Sequence, residues 1–116
     1  GPKCVIQGNK KDSFYYVYTF KLLISDCYFD KELESENVNV KIFKYRTDEG
    51  KSKYALWCPT SDGTKVPYYK FKLPMGEYRL VELINESYKG KRTDLEYKDG
   101  YVSVNISENP VFIIEK

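Results

Sequence analysis

Acid/base hydrolysis by paired carboxylates needs the two groups about 5–9.5 Å apart, one with a raised pKa. Glu82, Asp94, Glu96, Asp99 and Glu108 supply the residue type. Most of them fall in turns or at strand positions beside lysine, where solvation keeps a carboxylate ionised, so they read as surface charge. The stretch Asp94-Leu95-Glu96-Tyr97-Lys98-Asp99 offers oxygen ligands for calcium. Its strand-like spacing, however, sends alternate side chains to opposite faces, and it lacks an EF-hand order. Histidine is absent, which removes the commonest general acid/base, the Ser-His and Cys-His nucleophiles, and the usual zinc and haem ligands. Cys4, Cys27 and Cys58 are widely spaced and form no CxxC or Cys/His pattern. Cys27 and Cys58 read as small buried hydrophobes and Cys4 as a loose thiol. A Cys27–Cys58 disulfide requires that their strands meet. No catalytic residue, metal ligand or cofactor is expected.

Aromatic residues are the second source of chemistry: twelve tyrosines and a single tryptophan sit in a chain that is 16% aromatic. Tyrosine is common on sugar- and protein-binding faces, and it also favours β structure. Trp57 could stack on a sugar ring, but it lies mid-strand between Leu56 and Cys58. A core role with its N–H on a backbone carbonyl is the plainer reading. Tyr68 and Tyr69 follow Pro67, and strand alternation turns one of them inward. Tyr68 shares the Lys70/Lys72 face, which makes it the better candidate for an exposed sugar platform. Tyr101, on the Ser103/Asn105 face, is the second, although cross-strand packing is the commoner role of such tyrosines. Lys41, Lys44-Tyr45-Arg46 and Tyr69-Lys70-Phe71-Lys72 interleave bases with rings as single-strand nucleic-acid grooves do. Acids are interspersed throughout and the net charge is only +2, so no nucleic-acid partner is expected. No apolar run approaches the ~20 residues of a membrane span, and no membrane partner is expected.

The elements that must position these residues are mostly short strands. A chain of 116 residues has the length of one domain. Gly1-Pro2 reads as a protease-cleavage scar, and residues 1–12 as a polar leader. Residues 13–26 carry Phe14, Val17, Tyr18 and Leu22 on one stripe at the helical period, although their β-prone composition argues for a strand. From Cys27 onward, β-like runs alternate with turn chemistry. Val38, Val40 and Ile42 share a face, and Thr47-Asp48-Glu49-Gly50 is a hairpin turn. Residues 53–58 are apolar on both faces, the mark of a central strand covered twice, and a helix at 13–26 would cover one side. Further strands are expected at 69–73, 77–83, 93–97, 101–107 and 111–115, with a tight hairpin at Asp99-Gly100. Together they predict an all-β fold: an antiparallel β-sandwich of seven or eight strands over 27–116, with one N-terminal α-helix.

The run Tyr54-Ala55-Leu56-Trp57-Cys58-Pro59-Thr60-Ser61-Asp62-Gly63-Thr64 resembles a segment of the C-terminal β-sandwich accessory modules of bacterial glycoside hydrolases. The tail from Gly100 through Val102, Val104, Ser107-Glu108 and Pro110-Val111-Phe112 is similar to their closing strands. Phe14-Tyr15-Tyr16-Val17-Tyr18-Thr19-Phe20-Lys21 resembles the last helix of the preceding (β/α)8 barrel. The resemblance tips 13–26 toward helix and implies a non-catalytic module that packs against a catalytic barrel of a parent glycosidase. It further implies a periplasmic or extracellular setting. The family's catalytic carboxylates lie on the barrel, so none carries over to this chain. The alternative is a carbohydrate-binding module using Tyr68, Tyr101 or Trp57. Cut from a barrel, the aromatic helix face would be free to form a homodimer.

Overall fold

The computed structural model describes residues 19–59, 62–83 and 90–116. Its architecture follows from the strand that is apolar on both faces. That strand, β3 (Ser52–Trp57), lies inside a six-stranded antiparallel sheet with the order β1-β2-β3-β8-β5-β6. The other members are β1 (Cys27–Leu33), β2 (Lys41–Thr47), β5 (Tyr78–Glu82), β6 (Lys91–Leu95) and β8 (Val111–Glu115). A second sheet of two strands pairs β4 (Val66–Lys72) with β7 (Tyr101–Ile106). The fold is thus the expected all-β sandwich with a helix ahead of it.

Strand alternation sorts the side chains into two clusters. Ile42, Tyr54, Leu56 and Ile113 of the large sheet meet Phe71, Val102, Val104 and Ile106 of the small sheet in the inner core. Burial of these groups at roughly 25 cal/mol per Å² is the main force that closes the two layers. Tyrosine contributes its ring to this core and finds a partner for its hydroxyl: Tyr78 donates to the Pro74 carbonyl at 2.6 Å and Tyr97 to that of Leu73 at 2.8 Å. On the outer face of the large sheet, Tyr45, Ala55, Val81 and Phe112 form a second cluster with Leu23.

A helix at residues 19–24 covers part of that outer face. Leu23 is buried there, and the Phe20 ring meets Phe112 edge-on at a centroid distance of 5.2 Å. Lys53 pins the helix end, donating to the Leu23 carbonyl at 2.6 Å and to Asp26 at 2.8 Å. A cation on the unsatisfied carbonyls of a last turn is favourable. The earlier part of the expected helix, residues 13–18, lies outside the described residues, as do Cys4 and the leader.

Three local expectations need correction. Val38 does not join Val40 and Ile42 in the core; it is 94% exposed. A turn ties the Val40 N–H to the Asn37 carbonyl and the Asn39 N–H to the Asn37 side chain, so β2 starts only at Lys41. The strand expected at 93–97 is β6 at Lys91–Leu95, because its backbone pairs Leu80 with Thr93 and Glu82 with Lys91. Tyr97 leaves that ladder to place its ring 6.0 Å from Tyr78. Cys27, expected to be buried, is only half-buried, whereas Cys58 is buried; their strands do not meet, since β2 lies between them, and both thiols are free.

The Asp99-Gly100 turn behaves as its chemistry predicts. Both residues have positive φ, 53° and 89°, and Lys98 pairs with Tyr101 across them. This hairpin hands the chain from the large sheet to the small one.

Candidate functional site

The three aromatic candidates fall on three different surfaces. Tyr68 sits at a bulge in β4, where the pairing jumps from Val66–Ile106 to Tyr69–Val104 and leaves one extra residue on the β4 side. Its φ is +54°, a left-handed conformation that is uncommon for a bulky side chain. The Asn105 side chain accepts the Tyr68 N–H at 3.0 Å and holds this geometry. The ring is 78% exposed, while Tyr69 is half-buried with its hydroxyl 3.0 Å from that of Ser35. Beside Tyr68 lies a cleft of about 520 Å³ bordered by Lys65, Glu82, Asn105, Ser107 and Asn109.

Tyr101 is 40% exposed and lies opposite Lys72 at the other end of the β4–β7 pair. Four residue steps along β7 take the chain from it to Asn105, roughly 13 Å of extended strand. It borders a cleft of its own with Lys70, Glu96, Asp99 and Ser103. The two tyrosines therefore do not form one platform.

Trp57 is on the outer face of the large sheet, half-buried against the outer cluster. Phe43 meets it edge-on at 4.8 Å, and Phe29 meets Phe43 at 5.3 Å and Tyr45 at 5.7 Å. These rings make a stripe across β1, β2 and β3 that ends in Phe29, 52% exposed. Among the described residues no hydrogen bond leaves the Trp57 indole, contrary to the core role with a carbonyl partner. A ring at the rim of a cluster can leave its N–H to water.

Three carboxylates, Asp26, Asp30 and Asp94, sit in ion pairs. Asp26 is held below the usual carboxylate range by the hydrogen bond from Lys53. Asp94 is lowered by its hydrogen bond from Lys116 at 2.6 Å, with Arg79 also near at 3.8 Å. Asp30 lies between Arg46 at 3.5 Å and Lys44 at 3.9 Å. A general acid needs its pKa moved upward, and both of these shifts run downward. Burial pushes the Cys27 and Cys58 thiols up, the opposite of an activated nucleophile. Among the described residues no three Asp, Glu or Cys side chains are grouped as a metal site would require, and no helix is long and apolar enough to cross a membrane.

Strand parity predicts the exposure of Tyr68 but neither Asn105 as its holder nor the Phe29–Phe43–Trp57 stripe. The signal for the stripe was present, since Phe43 and Tyr45 share a strand face and Trp57 faces the same way one strand over.

No protein-family model matches the chain, and no curated protein matches it in sequence. Among solved structures it is similar to a family 39 glycoside hydrolase from the gut symbiont Bacteroides cellulosilyticus WH2, with a TM-score of 0.66 and 21% identity. The match covers 90% of this chain and 20% of that one. This chain thus spans about a fifth of the length of a glycoside hydrolase with which it shares a fold.

Proposed function

We propose that the chain is a non-catalytic accessory module of a glycoside-hydrolase-like protein, and that its outer aromatic stripe docks on the catalytic barrel. The observation that carries the reading is the stripe itself. The inner face of the large sheet is already closed by β4 and β7, whereas Phe29, Phe43 and Trp57 continue the outer cluster beyond the helix into solvent. Contiguous exposed apolar surface of this kind marks an interaction site. A barrel is the occupant that fits best, because the matched glycosidase chain extends far beyond the shared fold. The chain also enters the sandwich through the helix on this same face, so a domain joined upstream would be tethered beside the stripe. A periplasmic or extracellular location goes with the same reading.

Hydroxyl-radical footprinting of the isolated chain and of its parent polypeptide tests the docking. Phe29, Phe43 and Trp57 should oxidise readily in the isolated chain and be protected in the parent. Equal oxidation in both would refute docking through this face. Sedimentation distinguishes the other occupant: a concentration-dependent dimer lost in Phe29→Lys would assign the stripe to a second copy.

A further inference from the structure

We infer that the bulge of β4 builds a sugar-binding subsite, with the Tyr68 ring as platform for a neutral pyranose and Asn105, Asn109 and Glu82 around it for the hydroxyls. The subsite straddles β4 and β7 of the small sheet and the β5 and β8 ends of the large one, shares no residue with the Phe29–Phe43–Trp57 stripe, and does not depend on the docking proposal. Tyr68 contributes little to the fold: its ring is 78% exposed and pairs with no other ring among the described residues. Its backbone nevertheless sits in a conformation that glycine would adopt at no steric cost. Such outliers persist where the surroundings over-determine them, and here the Asn105 Oδ1 accepts the Tyr68 N–H. An aromatic ring is therefore kept exposed at a backbone position unfavourable to it.

The adjoining cleft says what the ring would meet. Its volume of about 520 Å³ falls within the range of small-molecule sites. One wall is an aromatic face, which suits the apolar C–H face of a sugar, and Tyr combines that face with a polar tip. The other walls mix amides, a carboxylate, a lysine and a hydroxyl with the apolar Leu83, Pro110 and Val111. Asn105 and Asn109 each offer donors and an acceptor, the pairing that vicinal hydroxyls require. Asn105 uses its oxygen on Tyr68, which leaves its NH₂ group for a ligand oxygen. Lys65 and Glu82 offset one another in charge, so the cleft favours a neutral sugar over a uronic acid or a sulfated one.

The test is titration of the 116-residue chain, monitored by amide chemical shifts, with cellohexaose, xylohexaose, mannohexaose and laminarihexaose at millimolar concentration. At least one should bind saturably and shift the amides of Tyr68, Asn105 and Glu82. Tyr68→Ala should weaken that binding by about tenfold or more, Tyr68→Phe should stay within about threefold, and Tyr101→Ala should leave it unchanged. Tyr68→Gly provides the control for folding, since it should raise the melting temperature while losing the sugar. Failure of all four saccharides to shift these amides, or binding that survives Tyr68→Ala, would overturn the subsite. Neither result would alter the footprinting contrast at Phe29, so the two proposals fail separately.

Discussion

Phe29 and Phe112 lie on the same face of the same sheet, yet truncating them should have very different consequences. Phe112 is fully buried beneath Phe20 and between Ala55 and Val81. Phe112→Ala should cost about 3–5 kcal/mol, the usual loss for a buried phenylalanine. Phe29 keeps 52% of its surface in water. Half of a ring side chain of roughly 200 Å² is about 100 Å², worth about 2.5 kcal/mol at most. A compact unfolded chain lowers that to about 2 kcal/mol, and alanine retains part of it. Phe29→Ala in the isolated chain should therefore cost about 1–2 kcal/mol, including its edge contacts with Phe43 and Tyr45. Equilibrium urea unfolding followed through the lone Trp57 reads both, and a gap of about 2 kcal/mol separates the midpoints by roughly 1–2 M. Equal destabilisation by the two substitutions would refute the reasoning. It would mean that Phe29 is already covered in the isolated chain and leaves no free stripe for a barrel.

Other consequences are local. A Cβ on Gly90 would lie 2.6 Å from the Glu82 carbonyl oxygen at a φ of +71°. Gly90→Ala should thus cost about 2–3 kcal/mol, while Gly100→Ala, with open space around it, should cost about 1 kcal/mol by thermal melting. Lys53→Met removes the cation that holds both Leu23 and Asp26. It should cost about 1 kcal/mol, given the exposure of Asp26, and speed amide exchange in residues 20–24. Because Asp26 is held low by Lys53, its contribution is present above the ordinary carboxylate range and is lost as pH falls through the folded value. The acid limb of the wild-type stability curve below about pH 4 should therefore flatten in Lys53→Met. Burial pushes the Tyr78 phenol up to about 12. A raised acid stabilises the fold below its unfolded value near 10 and withdraws that support as pH climbs through about 12, so alkaline unfolding should accompany the last tyrosine to ionise at 295 nm. Tyr68→Gly should add about 0.5–1 kcal/mol, the left-handed strain released less the entropy glycine gives up.

The parts of the fold legible in the sequence are those where side chains alone decide position. The two-faced pattern of residues 53–58 located β3 between two layers, and the spacing of Val102, Val104 and Ile106 placed β7. Asp99-Gly100 announced its turn because both positions require positive φ. Edge strands were harder. Lys91, Arg92, Thr93 and Asp94 are all exposed, and β6 exists through backbone pairing with β5, which an apolar pattern cannot register. At the candidate site, parity pointed Tyr68 outward correctly, but the bulge depends on a bond from residue 68 to residue 105 that no local pattern encodes. The stripe was missed for a similar reason, since the exposure of Phe29 depends on β1 standing at the sheet edge.

The central claim is that this sandwich serves a catalytic barrel to which it is joined. Its most direct test is the reading frame immediately upstream of Lys3 in the gene that encodes the chain. The account predicts an in-frame (β/α)8 domain whose strand ends carry a pair of carboxylates, and whose end leads into the helix at residues 19–24. A frame that encodes no such domain would contradict it.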